Sequence, residues 1–222
     1  MRSHIRHGCV VVALGVAAVA TQAGAADAPA TRLEARAVLP ALTFASGPPS
    51  GTLLGSAPIN GVTPPFESQP VQGVSALLDN GDGTYLALAD NGYGTLENSA
   101  DFNLRAYRIR PSFETRYGGA GRIAVLKPIE LRDPDRKIPF AITNHFTRQR
   151  VLTGADFDIE SFRRVPDGTL WFGDEFGPFL LHTDASGRVL EPPIPLPNLD
   201  VPGKELRSPQ NPFNEERARF AS

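Results

Sequence analysis

The sequence has 222 residues, with 22 Lys and Arg against 24 Asp and Glu for a formal net charge of −2, and it holds one Cys, one Trp, 21 Gly and 21 Pro. That balance carries no basic footprint for nucleic acid, and a single Cys excludes a disulfide-stapled scaffold. Gly and Pro together make up about a fifth of the chain, which excludes a long-helix bundle and favours many short strands joined by turns.

Arg2 and Arg6 form a positive n-region, Cys9 to Ala20 is an apolar run too short to span a bilayer, and Ala23-Gly24-Ala25 offers small residues for cleavage. Residues 1–25 therefore read as a secretory signal. The expected mature chain of 222 − 25 = 197 residues carries no Cys, no transmembrane segment and a net charge of 20 − 24 = −4. The expected location is secreted or periplasmic. Residues 26–72 read as a leader and a Pro/Gly-rich loop region on the surface, with one candidate strand, Val38 to Phe44, restricted by Pro40 to an edge or a bulge.

From Gly73 onward a domain of turns and strands is expected to run to residue 222. Val74 to Leu78, the turn Asp79-Asn-Gly-Asp-Gly83 and Thr84 to Ala89 make a hairpin that ends in Asp90-Asn91-Gly92. Leu104 to Arg110 and Gly121 to Leu126 are further strands, and Asp133 to Lys137 is a charged run expected to be a solvated loop. A second hairpin runs from Ile159 through Pro166-Asp167-Gly168 to Phe172, preceded by Asp156 and Asp158, with Glu160 near its start and Asp174 and Glu175 at its end. Antiparallel pairing places the start of one strand beside the end of the next, so these five acids are expected to gather away from the turn. Phe179 to Thr183 and Arg188 to Leu190 complete four strands, the make-up of one propeller blade. The Pro192-to-Pro197 stretch is expected to be an extended connection outside any sheet. Thr84 and Thr169 leave equivalent Asp-Gly-Thr turns 169 − 84 = 85 residues apart, the length of about two blades of roughly 40–45 residues or one blade with a long insert.

Taken together, Asp158-Ile-Glu-Ser-Phe-Arg-Arg164, Asp167 to Leu180 with its Asp174-Glu-Phe-Gly-Pro-Phe179 core, Leu86 to Gly94, and Ser208-Pro-Gln-Asn-Pro-Phe213 resemble the family described as "esterase-like activity of phytase". The resemblance covers Gly73 to about Asn214. It implies an exported, all-β, β-propeller-like protein that hydrolyses phosphate or carboxylate esters of small molecules. Family members are longer, so the chain is expected to be an incomplete N-terminal portion of about three to four blades at roughly 45 residues each, unstable when expressed alone.

Clustered oxygen donors are the ligands a hard cation takes, and by analogy with calcium-dependent propeller phytases the expected cofactor is Ca²⁺. Asp90, Asn91, Asp158, Glu160 and Asp174 are the candidate metal ligands, and Glu160, Asp174 and Glu175 the candidate catalytic residues. The bland reading of an Asp or Asn after a strand is a turn cap bonded to nearby backbone N–H groups. Arg163 and His145 are candidate substrate-binding residues; alternation lets only one of Arg163 and Arg164 face a given site. A serine hydrolase is disfavoured, with no Gly-x-Ser-x-Gly elbow and only His145 and His182 in the mature chain. Zinc is disfavoured by the missing cysteines. Trp171 reads as core between blades. The alternative to an enzyme is a secreted propeller that binds a ligand or partner at its mouth without turnover.

Overall fold

The computed structural model describes residues 32–214, and its compact unit begins at Glu34. The expected signal at 1–25 lies outside the described residues. Among those described there are twelve strands and no helix.

Two-residue strands open the chain: β1 (Ala35–Arg36), β2 (Phe44–Ala45) and β3 (Gln69–Pro70), the last two paired with each other. Then β4 (Val74–Asp79), β5 (Tyr85–Ala89), β6 (Arg105–Ser112) and, after the short β7 (Glu114–Thr115) that pairs with β1, β8 (Arg122–Glu130) form a four-stranded antiparallel meander in the order β4-β5-β6-β8. A second meander follows in β9 (Ile159–Arg164), β10 (Leu170–Asp174), β11 (Phe179–Thr183) and β12 (Ile194–Pro195).

β5 shows why both faces of the first meander are covered. Leu86 and Leu88 point to one side and Ala87 and Ala89 to the other, as strand alternation requires, and all four are buried. On the leucine side, β4 and β5 pack against β9, and Leu104, Ile159, Phe162, Phe172, Phe179 and Leu181 fill the space between the meanders. Phe162 and Phe172 are partners in register and stack with centroids 5.8 Å apart. On the alanine side, Tyr107, Ile109 and Phe102 pack with Val71, Leu39 and Ala45 from the N-terminal segment.

The 85-residue spacing is a structural repeat. Asp82 Oδ1 accepts from the backbone N–H and the hydroxyl of Thr84, and Asp167 Oδ1 does the same for Thr169. Those hydrogen bonds hold both carboxyls below the usual range. Arg108, opposite Leu86, reaches the Thr84 hydroxyl; His182, opposite Trp171, reaches that of Thr169. The two meanders therefore share one turn design and one four-stranded order, with 131–157 between them.

Several expectations change. Two four-stranded sheets are present among the described residues, without a closed ring, where three to four blades were expected. The residue count misleads because 131–157 is irregular chain and 32–72 supplies only short pairs. No strand runs through Pro40. Residues 46–70 are not simply surface loop: Ser50, Phe66 and Gln69 are buried, and the Gln69 amide bonds to Pro48 O, Asp101 O and the Asn103 N–H. The charged run is not fully solvated, since Asp133 is buried in an ion pair with buried Arg150 (Nη2 to Oδ2, 3.0 Å). The fourth strand of the second meander is Ile194–Pro195, so the Pro192-to-Pro197 stretch does enter a sheet, at an edge that asks no ladder hydrogen bond of a proline nitrogen, while Arg188 to Leu190 makes only isolated bridges to Arg132 and Thr183. Trp171 alternates away from the inter-sheet core and stacks on His182 at 4.0 Å.

Candidate functional site

The end of the second hairpin is built by a bulge. Gly173 pairs with Ser161 but Asp174 pairs with Ile159, so Glu160 is an extra residue in β9. The slip lets Ile159 and Phe162, three residues apart, both enter the core, and it turns Glu160 out of that face. A regular strand would have put Glu160 on the Phe162 side.

Asp174 holds this end together. Its Oδ1 accepts from the Asp158 N–H at 2.8 Å and the Phe176 N–H at 3.3 Å, and its Oδ2 from the Gly177 N–H at 2.8 Å. Burial pushes its carboxyl up to about 6 against those three donors. In return the Glu175 N–H donates to Asp158 O at 2.9 Å. The turn after β10 is clamped from the far end of the chain: Ser208 Oγ donates to Phe176 O, the Ser208 N–H and Asn211 Nδ2 to Gly177 O, and Phe213 packs on Phe140 and Phe179. The segments 174–179 and 208–213 are thus packed on one another.

The first meander contributes Asp90 and Asn91. Asp90 Oδ1 accepts from the Gly92 N–H, and a Cβ on Gly73 would lie 2.1 Å from that oxygen, so only glycine fits beside it. Asn91 is buried; its Oδ1 accepts from the Gly94 N–H, and its Nδ2 donates across the sheets to Asp158 Oδ2 at 3.1 Å. Asp158 thus stands between the meanders. Its Oδ1 is buried with no hydrogen-bond partner. Burial first, then the carboxylates of Glu160, Asp90, Glu175 and Asp174 push its carboxyl up to about 6. Burial and Glu160 also raise Asp90, against the Gly92 N–H.

The fold thus brings Asp90, Asn91, Asp158, Glu160, Asp174 and Glu175 to one end. Asp174 has both oxygens committed to backbone and acts as a positioning residue. Asp156 turns away, buried in bonds to the N–H and hydroxyl groups of Thr143 and Thr153. Arg163 is exposed opposite Trp171, and His145 Nδ1 lies 3.1 Å from Arg150 Nη1, so neither is tied to the acids. Among the described residues no three His, Cys, Asp or Glu side chains are grouped to hold a metal ion. The oxygen donors suit a hard cation in kind, and the buried Asp158 Oδ1 is the one carboxylate oxygen among the described residues that the fold leaves buried without a hydrogen bond.

Sequence reasoning did not anticipate a line of Glu191, His182 and Thr169. Glu191 Oε1 is 2.6 Å from His182 Nδ1, and His182 Nε2 is 2.9 Å from Thr169 Oγ1. It resembles a nucleophile triad, but the Thr169 hydroxyl donates its proton to Asp167, so His182 Nε2 is left to donate and cannot act as base toward it. The Asp-Gly-Thr turn was the available signal for that bond.

A family model described as phytase-like, "Esterase-like activity of phytase", matches residues 69–212, and the chain belongs to that family. Comparisons with curated proteins and with solved structures each returned no match.

Proposed function

We propose that the protein is an exported hydrolase of small-molecule phosphate or carboxylate esters, working at the acidic end where β5 meets β9 and β10, and that the two meanders are neighbouring blades of a propeller. The observation that carries this reading is Asp158: its Oδ1 is buried and unpartnered, and burial together with four neighbouring acids pushes its carboxyl up to about 6. A carboxyl so placed can take a proton from an attacking water near neutral pH, the task that pKa tuning serves. Glu160 and Glu175 flank it, while Asn91 and Asp174 fix its position from either side.

Ca²⁺ is the proposed cofactor: Asp90 and Glu160 would have to close on it, since no three acid side chains among the described residues are grouped around an ion, and Asp158 is left as the base. When bound, the ion supplies Lewis-acid polarisation of an ester oxygen. The oxygen-only donor set is what supports this part of the reading.

The test is turnover of p-nitrophenyl phosphate and p-nitrophenyl acetate by the wild type and Glu160→Gln, with calorimetric Ca²⁺ titration of both. Turnover of either ester that falls at least about tenfold in Glu160→Gln, with weaker Ca²⁺ binding, is expected. Absence of turnover in the wild type with Ca²⁺ present would favour a propeller that binds a ligand at its mouth without reaction.

A further inference from the structure

A cleft of about 770 Å³ opens between the meanders and extends to the turn ends of the β4–β5 and β9–β10 hairpins, where Asn80, Asp82 and Arg164 line it. Asp90 and Asp158 lie at the other end of those hairpins. Four cations line the cleft: Arg108, Lys127, Arg132 and Arg164. Its two acids are already engaged. Asp82 pairs with Arg108, and Glu130 Oε2 accepts from Arg105 Nε and Nη2 and from Asn103 Nδ2.

Among the remaining cations, Arg132 and Arg164 hydrogen-bond only to neutral groups, and the charge of Arg132 also acts on the Asp184 carboxylate. Arg132 donates to the carbonyl and hydroxyl of Ser186, and Arg164 donates to Asn80 Oδ1. The Lys127 ammonium has no hydrogen bond or ion pair among the described residues. Lys127 also lies directly opposite Arg108 in the β6–β8 ladder, a like-charge pairing that costs stability by itself. Lys127 and Arg164 carry no counter-charge, and with Arg132, whose charge also reaches Asp184, they bring a surplus of positive charge from β8, the chain after it and β9 to one cavity, a field that draws an anion. Guanidinium forks and an ammonium match phosphate oxygens.

We propose that this cleft is a phosphate-binding site, separate from the acidic end, in which Lys127, Arg132 and Arg164 hold the phosphate group of a small molecule or free phosphate itself. It does not depend on the hydrolase reading. The test is calorimetric titration with inorganic phosphate and, separately, glycerol 2-phosphate, at low ionic strength with chelator present so that no cation at the acidic end carries phosphate. One saturable site is expected, weakened at least about tenfold by Lys127→Ala and by Arg164→Ala, retained by Lys127→Arg and unchanged by Glu175→Gln. Binding of both probes assigns the site to the phosphate group itself, and binding of glycerol 2-phosphate alone assigns it to phosphorylated ligands. Both exposed positions tolerate the change, and thermal melts of the variants verify folding. No saturable binding to the wild type, equal binding by Lys127→Ala, or loss in Glu175→Gln alone would overturn the proposal.

Discussion

Asp158 and Asp174 sit side by side with different work to do. Asp174 spends both oxygens on backbone amides, so Asp174→Asn puts an NH₂ group against an N–H donor and costs about 1–3 kcal/mol in folding, read by chemical denaturation. Asp158 keeps an unpartnered oxygen, so Asp158→Asn leaves the fold at least as stable as wild type. The pH dependence follows from the same difference. Burial and the neighbouring carboxylates push Asp158 up to about 6 in the fold, from near 3.9 unfolded, so the fold favours its protonated form. Its contribution to stability is greatest below about pH 4 and is lost as pH rises through about 6. Without metal, wild type is expected to lose more stability than Asp158→Asn between about pH 5 and pH 7, measured by denaturant titration at each pH. Equal losses in the two proteins would remove Asp158 from the set of perturbed groups. The sequence pointed to the acids through hairpin pairing, but not to this division of labour: which oxygen finds an amide depends on the turn at Phe176-Gly177, which no periodicity encodes.

At the scale of elements, the segments around the site are rigid for identifiable reasons. A Cβ on Gly154 would stand 1.9 Å from Asn91 O, so Gly154→Ala is expected to displace the turn that carries Asp90 and Asn91, destabilise by about 1–3 kcal/mol and lower turnover together with stability. The irregular 131–157 segment is held by the buried Asp133–Arg150 pair; removing one partner leaves the other charge buried and alone. Asp133→Ala is expected to cost about 3–5 kcal/mol in denaturant titration, and a cost under about 1 kcal/mol would contradict that role. Both hairpins were legible in the sequence because alternation and Asp-Gly turns are local signals. The β9 bulge, the Pro195 edge strand and the burial of Asp133 were not, since each depends on a partner distant in sequence: Asp174, Phe179 and Arg150.

Across the described residues, two similar meanders pack on a shared aromatic core and gather acids at one end of their hairpins and a surplus of cations in the cleft that reaches the other. Phe162→Ala, which removes half of a buried stack between the sheets, is expected to cost about 3–5 kcal/mol. The repeat was visible as two Asp-Gly-Thr turns, and the structure extends it to the residues that touch each threonine hydroxyl, Arg108 and His182. The all-β class was legible from Gly and Pro content, whereas the number of sheets was not, because inserted and flanking chain has the same composition as blade. The account rests on the acidic end being the place where esters are hydrolysed, and the most direct measurement is turnover of p-nitrophenyl phosphate and p-nitrophenyl acetate by Asp158→Asn beside the wild type, with melting curves of both. The account expects the variant to melt no lower than wild type and to lose at least about a hundredfold in kcat/KM; wild-type turnover in a folded Asp158→Asn protein would contradict it.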